Sequence, residues 1–274
     1  MAWYRNVTIK SHKELEIMRV AGRINAEALQ AAYLALSPGN TTADVNAAAE
    51  AVLKSYGVYS PFLNYPGPYP YPASTNVSVN EELVHGIPGK RKLKAGDVVS
   101  VDCGTVYDGF VGDSAFTAVV GEASDKAKDL ILVTEQALYV GISKMITGNR
   151  TGDVSAAIQQ FVESKGYQVV REYTGHGVGR QMHEGPQMPN YGSPGRGPVL
   201  QPGLVIALEP MVMAGTFMTR TLDDEWTVAS ADGKLCAHFE HTVAVTENGP
   251  LILTTLGDET SPAQIAGQLV TDQL

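Results

Sequence analysis

The chain has 274 residues; 44% belong to the set AVILMFWYC, 18% are charged, and the formal net charge is −9. This composition is typical of a folded globular protein and excludes intrinsic disorder and a membrane-dominated chain. The acidic balance argues against a nucleic-acid partner, which needs a basic face. The single basic cluster, Lys90, Arg91, Lys92 and Lys94, is interpreted as a solvated loop.

Cysteine content and apolar runs bear on the cellular compartment. Cys103 and Cys236 have no C-x-x-C spacing and are too few for a disulfide framework. The stretch MAWYRNVTIKSHKELEIM has no apolar signal core, and no run reaches the roughly 18 apolar residues of a spanning helix. We therefore expect a cytoplasmic protein without a membrane segment.

The first part of the chain predicts two helices and a rigid loop. Ser11 and Glu14 form a capping box that begins a helix over about 11–36. The second helix is predicted from Thr42 to Tyr56 and ends at Gly57, where glycine can adopt the left-handed conformation. The proline-rich stretch NYPGPYPYPAS that follows predicts a rigid loop.

Strands, two helices and further strands follow. Residues 76–120 alternate in the β period, with Tyr107, Asp108 and Gly109 as a turn. A helix is predicted over about 124–145, and another within 146–166. Residues 168–252 return to strands and loops. The order helix, helix, strands thus occurs twice.

This order reflects an internal repeat. Residues 37–57 match residues 146–166 at nine of 21 positions without a gap, where composition alone supplies roughly one or two. LKAGDVVSVD (93–102) also lies over LQPGLVIALE (200–209), which pairs Asp102 with Glu209. We expect two pseudo-repeats, about 11–120 and 121–252, packed as one domain over 1–274 with a site at their junction.

Four carboxylates occur in strand-like, apolar contexts: Asp102, Asp113, Glu209 and Glu240. Burying each unpaired carboxylate costs several kcal/mol, and a fold is stable by only about 5–15 kcal/mol. Residues 98–120 contain no lysine or arginine, so a partner comes from elsewhere or is a metal. Oxygen ligands with a histidine suit Mn, Fe, Co or Zn, and His176 lies between glycines that permit close approach.

The other histidines leave alternatives open. His183 and Glu184 begin an H-E-x-x-H pattern, but position 187 holds glutamine. His238 and His241 flank Glu240 and are equally possible ligands. Because neighbours on a strand point to opposite faces, Glu240 and His241 should not share one side of a site.

Taken together, several segments resemble the signature segments of type 1 methionine aminopeptidases. They are NEELVHGIP, VVSVDCG with Asp113 eleven residues beyond Asp102, GHGVGRQMHEGP, LEPM and FEHTVAV. The resemblance covers about residues 10–255 and implies the pita-bread fold, an α/β (α+β) architecture with an internally duplicated, pseudo-two-fold antiparallel sheet and flanking helices. It implies two divalent ions (Co, Mn, Fe or Zn), and five ligands: Asp102, Asp113, His176, Glu209 and Glu240.

The resemblance also implies the activity, which is removal of the initiator methionine from new proteins by a hydroxide that bridges the two ions. Glu209 would move the proton, while His85 and His183 would contact substrate. The side-chain pocket would contain Tyr65, Tyr71, Met182 and Trp226. Here the chain departs from the family pattern, because the loop containing NYPGPYPYP is about two residues longer and Met182 replaces the usual phenylalanine.

Three alternatives remain at this stage. The first is a Xaa-Pro aminopeptidase or prolidase: these enzymes share the ligand set, but they are longer chains with a separate N-terminal domain. A non-catalytic peptide-binding member would be expected to lose ligands. A structural protein with a buried acid network would bind no metal. The sequence does not identify the physiological metal; we expect a monomer, and ribosome proximity stays open because no basic docking arm is visible.

Overall fold

The computed structural model describes residues 7–257. From its composition we expect the segment after Leu256, GDETSPAQIAGQLVTDQL, to be peripheral; from position 258 onward it lies outside the described residues. The helices are α1 (His12–Leu34), α2 (Thr42–Ser55), α3 (Asp125–Ile142) and α4 (Thr151–Ser164). The strands are β1 (Thr75–Val79), β2 (Glu82–Val84), β3 (Val98–Tyr107), β4 (Phe110–Val119), β5 (Gln168–Val169), β6 (Thr174–Gly177), β7 (Glu184–Pro189), β8 (Val205–Leu208), β9 (Met211–Met213), β10 (Thr219–Thr221), β11 (Val228–Ser230), β12 (Cys236–His238), β13 (Glu240–Thr246) and β14 (Gly249–Ile252).

The helix ends follow from local chemistry. Ser11 and Glu14 form the predicted capping box, with the Glu14 carboxylate accepting from the Ser11 backbone N–H at 2.9 Å. Gly57 and Gly166 follow α2 and α4 with φ of 68° and 84°, the left-handed conformation that suits glycine. In residues 7–257, none of the helices has both the length and the apolar character needed to cross a bilayer.

The main sheet has eight strands in the order β1-β3-β4-β13-β8-β6-β7, with β14 also paired to β13. Its neighbouring strands pair antiparallel. Two three-stranded sheets, β10-β11-β2 and β12-β9-β5, complete the architecture. Strands β3 and β4 from the first half therefore meet β13 and β8 from the second half at the centre of the main sheet.

The two halves repeat at the level of single hydrogen bonds. The Gly39 N–H donates to the Leu93 carbonyl at 2.9 Å, and the Gly148 N–H donates to the Leu200 carbonyl at 3.0 Å. Both glycines have nearly the same left-handed φ, 95° and 94°. The side-chain amides of Asn40 and Asn149 each donate to a carbonyl five residues earlier, both at 2.9 Å. The internally duplicated fold is thus confirmed.

Each half buries its own helices against its own strands. One cluster joins residues of α1 and α2 to β1 and β3, and a second joins α3 and α4 to β8 and β13. Phe116 on β4 packs against both clusters. Helix α1 also approaches β4 closely, because a Cβ at Gly112 would lie 2.7 Å from the Gly22 backbone nitrogen. This packing fixes β4, which carries Asp113.

Candidate metal centre

Strand register brings the four carboxylates to one face of the main sheet. On β4, Ala115 lies opposite both Asp102 of β3 and Glu240 of β13. Asp113 is two residues before Ala115 and therefore points to the same side of β4 as that residue. Glu209 follows Leu208 of β8, which pairs with β13. All four carboxylates line one cavity of about 200 Å³.

His176 is directed at this carboxylate cluster by strand β6. Its Nδ1 lies 2.9 Å from the Gly177 carbonyl, which can only accept, so Nδ1 carries the proton and the lone pair is on Nε2. Nε2 lies 3.8 Å from Asp113 Oδ2 and 3.6 Å from Glu209 Oε1. Ligand atoms of Asp113, His176 and Glu240 all lie within 4.8 Å of one another.

Because the four carboxylates are buried, their ionised forms destabilise the fold unless a cation compensates the charge. Burial raises the pKa of Asp102 to about 7, although the Asn76 amide donates to its Oδ2 at 3.0 Å. Burial, and then repulsion from neighbouring carboxylates, raises the pKa of Asp113, Glu209 and Glu240 well above the ordinary range. Among residues 7–257, no lysine or arginine side chain lines the cavity.

Unsatisfied buried atoms test whether these residues fit a metal. Asp102 Oδ1, Asp113 Oδ1, Glu240 Oε1 and His238 Nε2 find no hydrogen-bond partner in the described part of the chain. Buried polar atoms are normally satisfied, so a set that converges on one cavity calls for a ligand. Carboxylate oxygens and neutral imidazole nitrogens are ligands for divalent Mn, Fe, Co or Zn. The donor set therefore fits a divalent metal.

His85 and His183 lie beside the carboxylates and face the same cavity. Their pKa values are lowered by burial, that of His85 to about 4. Tyr65 Oη lies 2.7 Å from His183 Nδ1. If the hydroxyl donates, the imidazole proton is on Nε2 and can be offered to a substrate oxygen. His85 has a left-handed φ of 61°, a backbone strain that is concentrated at functional sites.

The predicted side-chain pocket also lies in this cavity. Tyr71, Trp226 and Met182 are joined there by Phe62. The tyrosine-proline loop is held to Trp226, whose indole N–H donates to the Tyr69 carbonyl at 3.1 Å. A Cβ at Gly67 would lie 2.3 Å from the indole ring, so the loop can pass over the ring only with glycine there.

The structure places all eleven predicted site residues in one cavity and adds seven further lining residues. Six of the seven were not considered from the sequence, and the seventh, His238, had been left open as a possible ligand. The additional lining residues are Phe62, Asn76, Val84, Tyr173, Thr174, Met211 and His238. Asn76 pairs with Asp102 across β1 and β3, a register that the sequence did not supply. Of the two histidines that flank Glu240 in the sequence, His238 is the one that lines the cavity. His241 instead contacts Thr254 Oγ1 through Nδ1 at 2.8 Å.

Comparison with known proteins agrees with this geometry. The sequence pattern of Metallopeptidase family M24 matches residues 16–247. This chain belongs to metallopeptidase family M24. An M24 relative, the methionine aminopeptidase of Clostridium acetobutylicum, is 50% identical over 249 residues, covering 90% of this chain and 98% of the relative. The predicted resemblance is confirmed.

Solved M24 structures support the same assignment. The methionine aminopeptidase of Thermotoga maritima has a TM-score of 0.88 and 47% identity, covering 91% of this chain and 99% of that chain. The prolidase of Pyrococcus horikoshii has a TM-score of 0.73 and 24% identity, with 92% and 65% covered. The prolidase likeness shows the shared pita-bread fold alone.

Proposed function

We propose that this protein removes the N-terminal methionine from peptides and newly made proteins. The observation that carries the proposal is the single cavity that holds the carboxylates, His176, His85 and His183 beside an apolar pocket. Relatives named methionine aminopeptidases, at up to 50% identity over almost their whole length, support the choice of substrate. Loss of ligands, expected for a non-catalytic member, is absent from the described site.

We propose a dinuclear centre of two divalent ions, Co, Mn, Fe or Zn. Asp113 and Glu240 would help to hold both ions. Asp102, His176 and Glu209 would complete the ligand set. Four carboxylates offset the four positive charges of two ions, which supports this stoichiometry. When bound, the ions would lower the pKa of a water molecule and polarise the scissile carbonyl.

The chain's own residues would position the substrate and move the proton. Glu209 would accept the proton of the attacking water and deliver it to the leaving amine. His183, oriented by Tyr65 at its Nδ1, would donate from Nε2 to the developing oxyanion. His85 would contact the amide beyond the scissile bond. The negative charge of Asp102 would attract the free α-amino group of the substrate.

The apolar pocket would select the methionine side chain. Tyr65, Tyr71, Met182 and Trp226 offer a soft lining, and sulfur–aromatic contacts favour a thioether. Tyr71 is held in place because its hydroxyl donates to the Gly86 carbonyl at 2.9 Å. We also propose that the chain acts as one catalytic domain and as a monomer in the cytoplasm.

Peptide cleavage tests this function. Protein treated with chelator and reloaded with Mn, Co, Fe or Zn is given Met-Ala-Ser, Leu-Ala-Ser and Ala-Pro-Ser. We expect metal-dependent release of methionine in strong preference to leucine. Preference for Ala-Pro-Ser would instead support the prolidase-like alternative. Absence of bound ions would support a structural acid network.

Glu209→Gln tests the proton-transfer role separately. The substitution keeps the side-chain size but removes the base, so we expect kcat to fall by at least about 100-fold. Metal analysis of the same sample is the control. Near-native turnover with both ions bound would contradict the role of Glu209.

A further inference from the structure

His238 is a buried histidine whose side chain enters the metal centre, although it is outside the five-ligand set. It is 2% exposed, and its Nε2 has no hydrogen-bond partner among residues 7–257. The other unsatisfied atoms in this cavity belong to Asp102, Asp113 and Glu240, all predicted metal ligands. His238, like the predicted ligands around it, therefore has a buried polar atom without a hydrogen-bond partner among the described residues.

Distances place His238 Nε2 as a ligand would be placed. It lies 3.8 Å from Glu209 Oε2 and 3.8 Å from Glu240 Oε2. These separations are too long for hydrogen bonds. Two ligand atoms that share one ion at bond lengths of about 2.0–2.2 Å can be at most about 4.3 Å apart. His238 Nε2 is therefore close enough to share an ion with either carboxylate oxygen.

The predicted ligand His176 has the same geometry on the other side of Glu209. Its Nε2 lies 3.6 Å from Glu209 Oε1, whereas His238 faces Glu209 Oε2. The two histidines therefore flank one carboxylate, each opposite a different oxygen. A neutral imidazole adds a donor without changing the balance between four carboxylates and two divalent ions.

The backbone fixes His238 in this position. Its N–H donates to Thr117 Oγ1 at 2.8 Å, and Thr117 Oγ1 donates to the His238 carbonyl at 2.7 Å. Thr117 belongs to β4, the strand that also carries Asp113. His238 ends β12 and Glu240 begins β13, and both side chains line the cavity, whereas His241 contacts Thr254 instead. The two hydrogen bonds to Thr117 thus hold the His238 backbone against β4.

We propose that His238 is a sixth protein ligand of the metal centre, which binds through Nε2 an ion that one of its two carboxylate neighbours, Glu209 or Glu240, also holds. This inference rests on the metal site proposed above. It predicts a centre with two histidine nitrogens where the five-ligand set provides one. The chain would accordingly hold its metal more tightly than that set alone allows.

Counting metal-bound nitrogens tests the proposal. Protein labelled with ¹⁵N-histidine and loaded with Mn²⁺ is studied by electron–nuclear double resonance. We expect two bonded histidine nitrogens in the wild type and one in His238→Gln. Isothermal titration should show that Mn²⁺ binds the variant at least about tenfold more weakly, because it has lost a donor. Circular dichroism checks that the variant is folded.

His241→Gln is the matched control, since His241 lies three residues away on the opposite face and contacts Thr254. It should keep two bonded nitrogens and the wild-type affinity. A wild-type spectrum with one bonded nitrogen, in protein that binds Mn²⁺ and releases methionine, would overturn the role of His238 alone. Wild-type protein that binds no divalent ion would overturn the metal centre as well.

Discussion

Glu135 on α3 is a buried acid that the proposed reaction does not use. It is 6% exposed, and its Oε1 has no hydrogen-bond partner in the described residues. Burial raises the pKa of Glu135 to about 7. Burial, and then the negative charge of Glu135, also raises the pKa of Tyr139, one turn further along α3. Glu135 thus destabilises the fold once it is ionised.

Glu135→Gln should stabilise the protein in a pH-dependent way. A raised pKa means that the native state keeps a proton which the unfolded chain has lost, so wild-type stability falls as pH rises from about 4.5 to about 7. Glutamine does not titrate. We expect the variant to gain about 1–3 kcal/mol at pH 8 and little at pH 4.5. Urea denaturation at several pH values measures the difference; an equal gain at every pH would contradict it.

At the scale of elements, the segment before α1 supports the loop that carries His183. Lys10 Nζ lies 2.7 Å from Glu184 Oε2, and both side chains are almost fully buried. Glu184 also accepts from the Thr8 hydroxyl and, at 3.2 Å, from the Gln181 backbone N–H. Because Glu184 adjoins His183, this buried ion pair fixes the position of a substrate-facing loop.

Lys10→Met should therefore destabilise the protein and lower kcat. Removal of one partner leaves an uncompensated buried charge, which costs about 3–5 kcal/mol. The double variant Lys10→Met/Glu184→Gln should recover much of this loss, because the buried charge is removed too. Thermal unfolding and peptide cleavage give the two readouts.

An exposed ion pair supplies the control for this experiment. On α2, Lys54 Nζ lies 3.0 Å from Glu50 Oε1, and the Lys54 side chain is 71% exposed. Lys54→Met should cost less than about 1 kcal/mol and leave turnover unchanged. If Lys10→Met behaved like Lys54→Met, the proposed support of the His183 loop would be wrong.

For the molecule as a whole, the two halves meet at a concentration of negative charge. β3 and β4 contribute Asp102 and Asp113, and the second half contributes Glu209 and Glu240. Without cations their repulsion opposes the packing of one half on the other. Metal ions should therefore hold the halves together as well as serve the reaction.

Removal of metal should lower the melting temperature. Free metal at about 100 times Kd stabilises a native state by about 2.7 kcal/mol if the unfolded chain does not bind it. Asp113→Asn removes one of the repelling charges, so without metal the variant should be more stable than the wild type. Because it has also lost a ligand, its gain in stability on adding Mn²⁺ should be smaller than that of the wild type. Calorimetry with chelator and with Mn²⁺ tests both expectations. A metal-free variant less stable than metal-free wild type would contradict the repulsion argument.

Sequence by itself indicated the four helices and the duplication, and its resemblance to a known family supplied the eleven candidate site residues, which the structure places in one cavity. Helix caps, glycine stops and the two-residue period of strands are local sequence features. The repeat is visible as sequence identity between residues 37–57 and 146–166. Tertiary structure alone decided that Asn76 supports Asp102, that Lys10 pairs with Glu184 and that His238 faces Glu209. These contacts depend on strand register and on packing between segments far apart in the chain, and no local pattern encodes them.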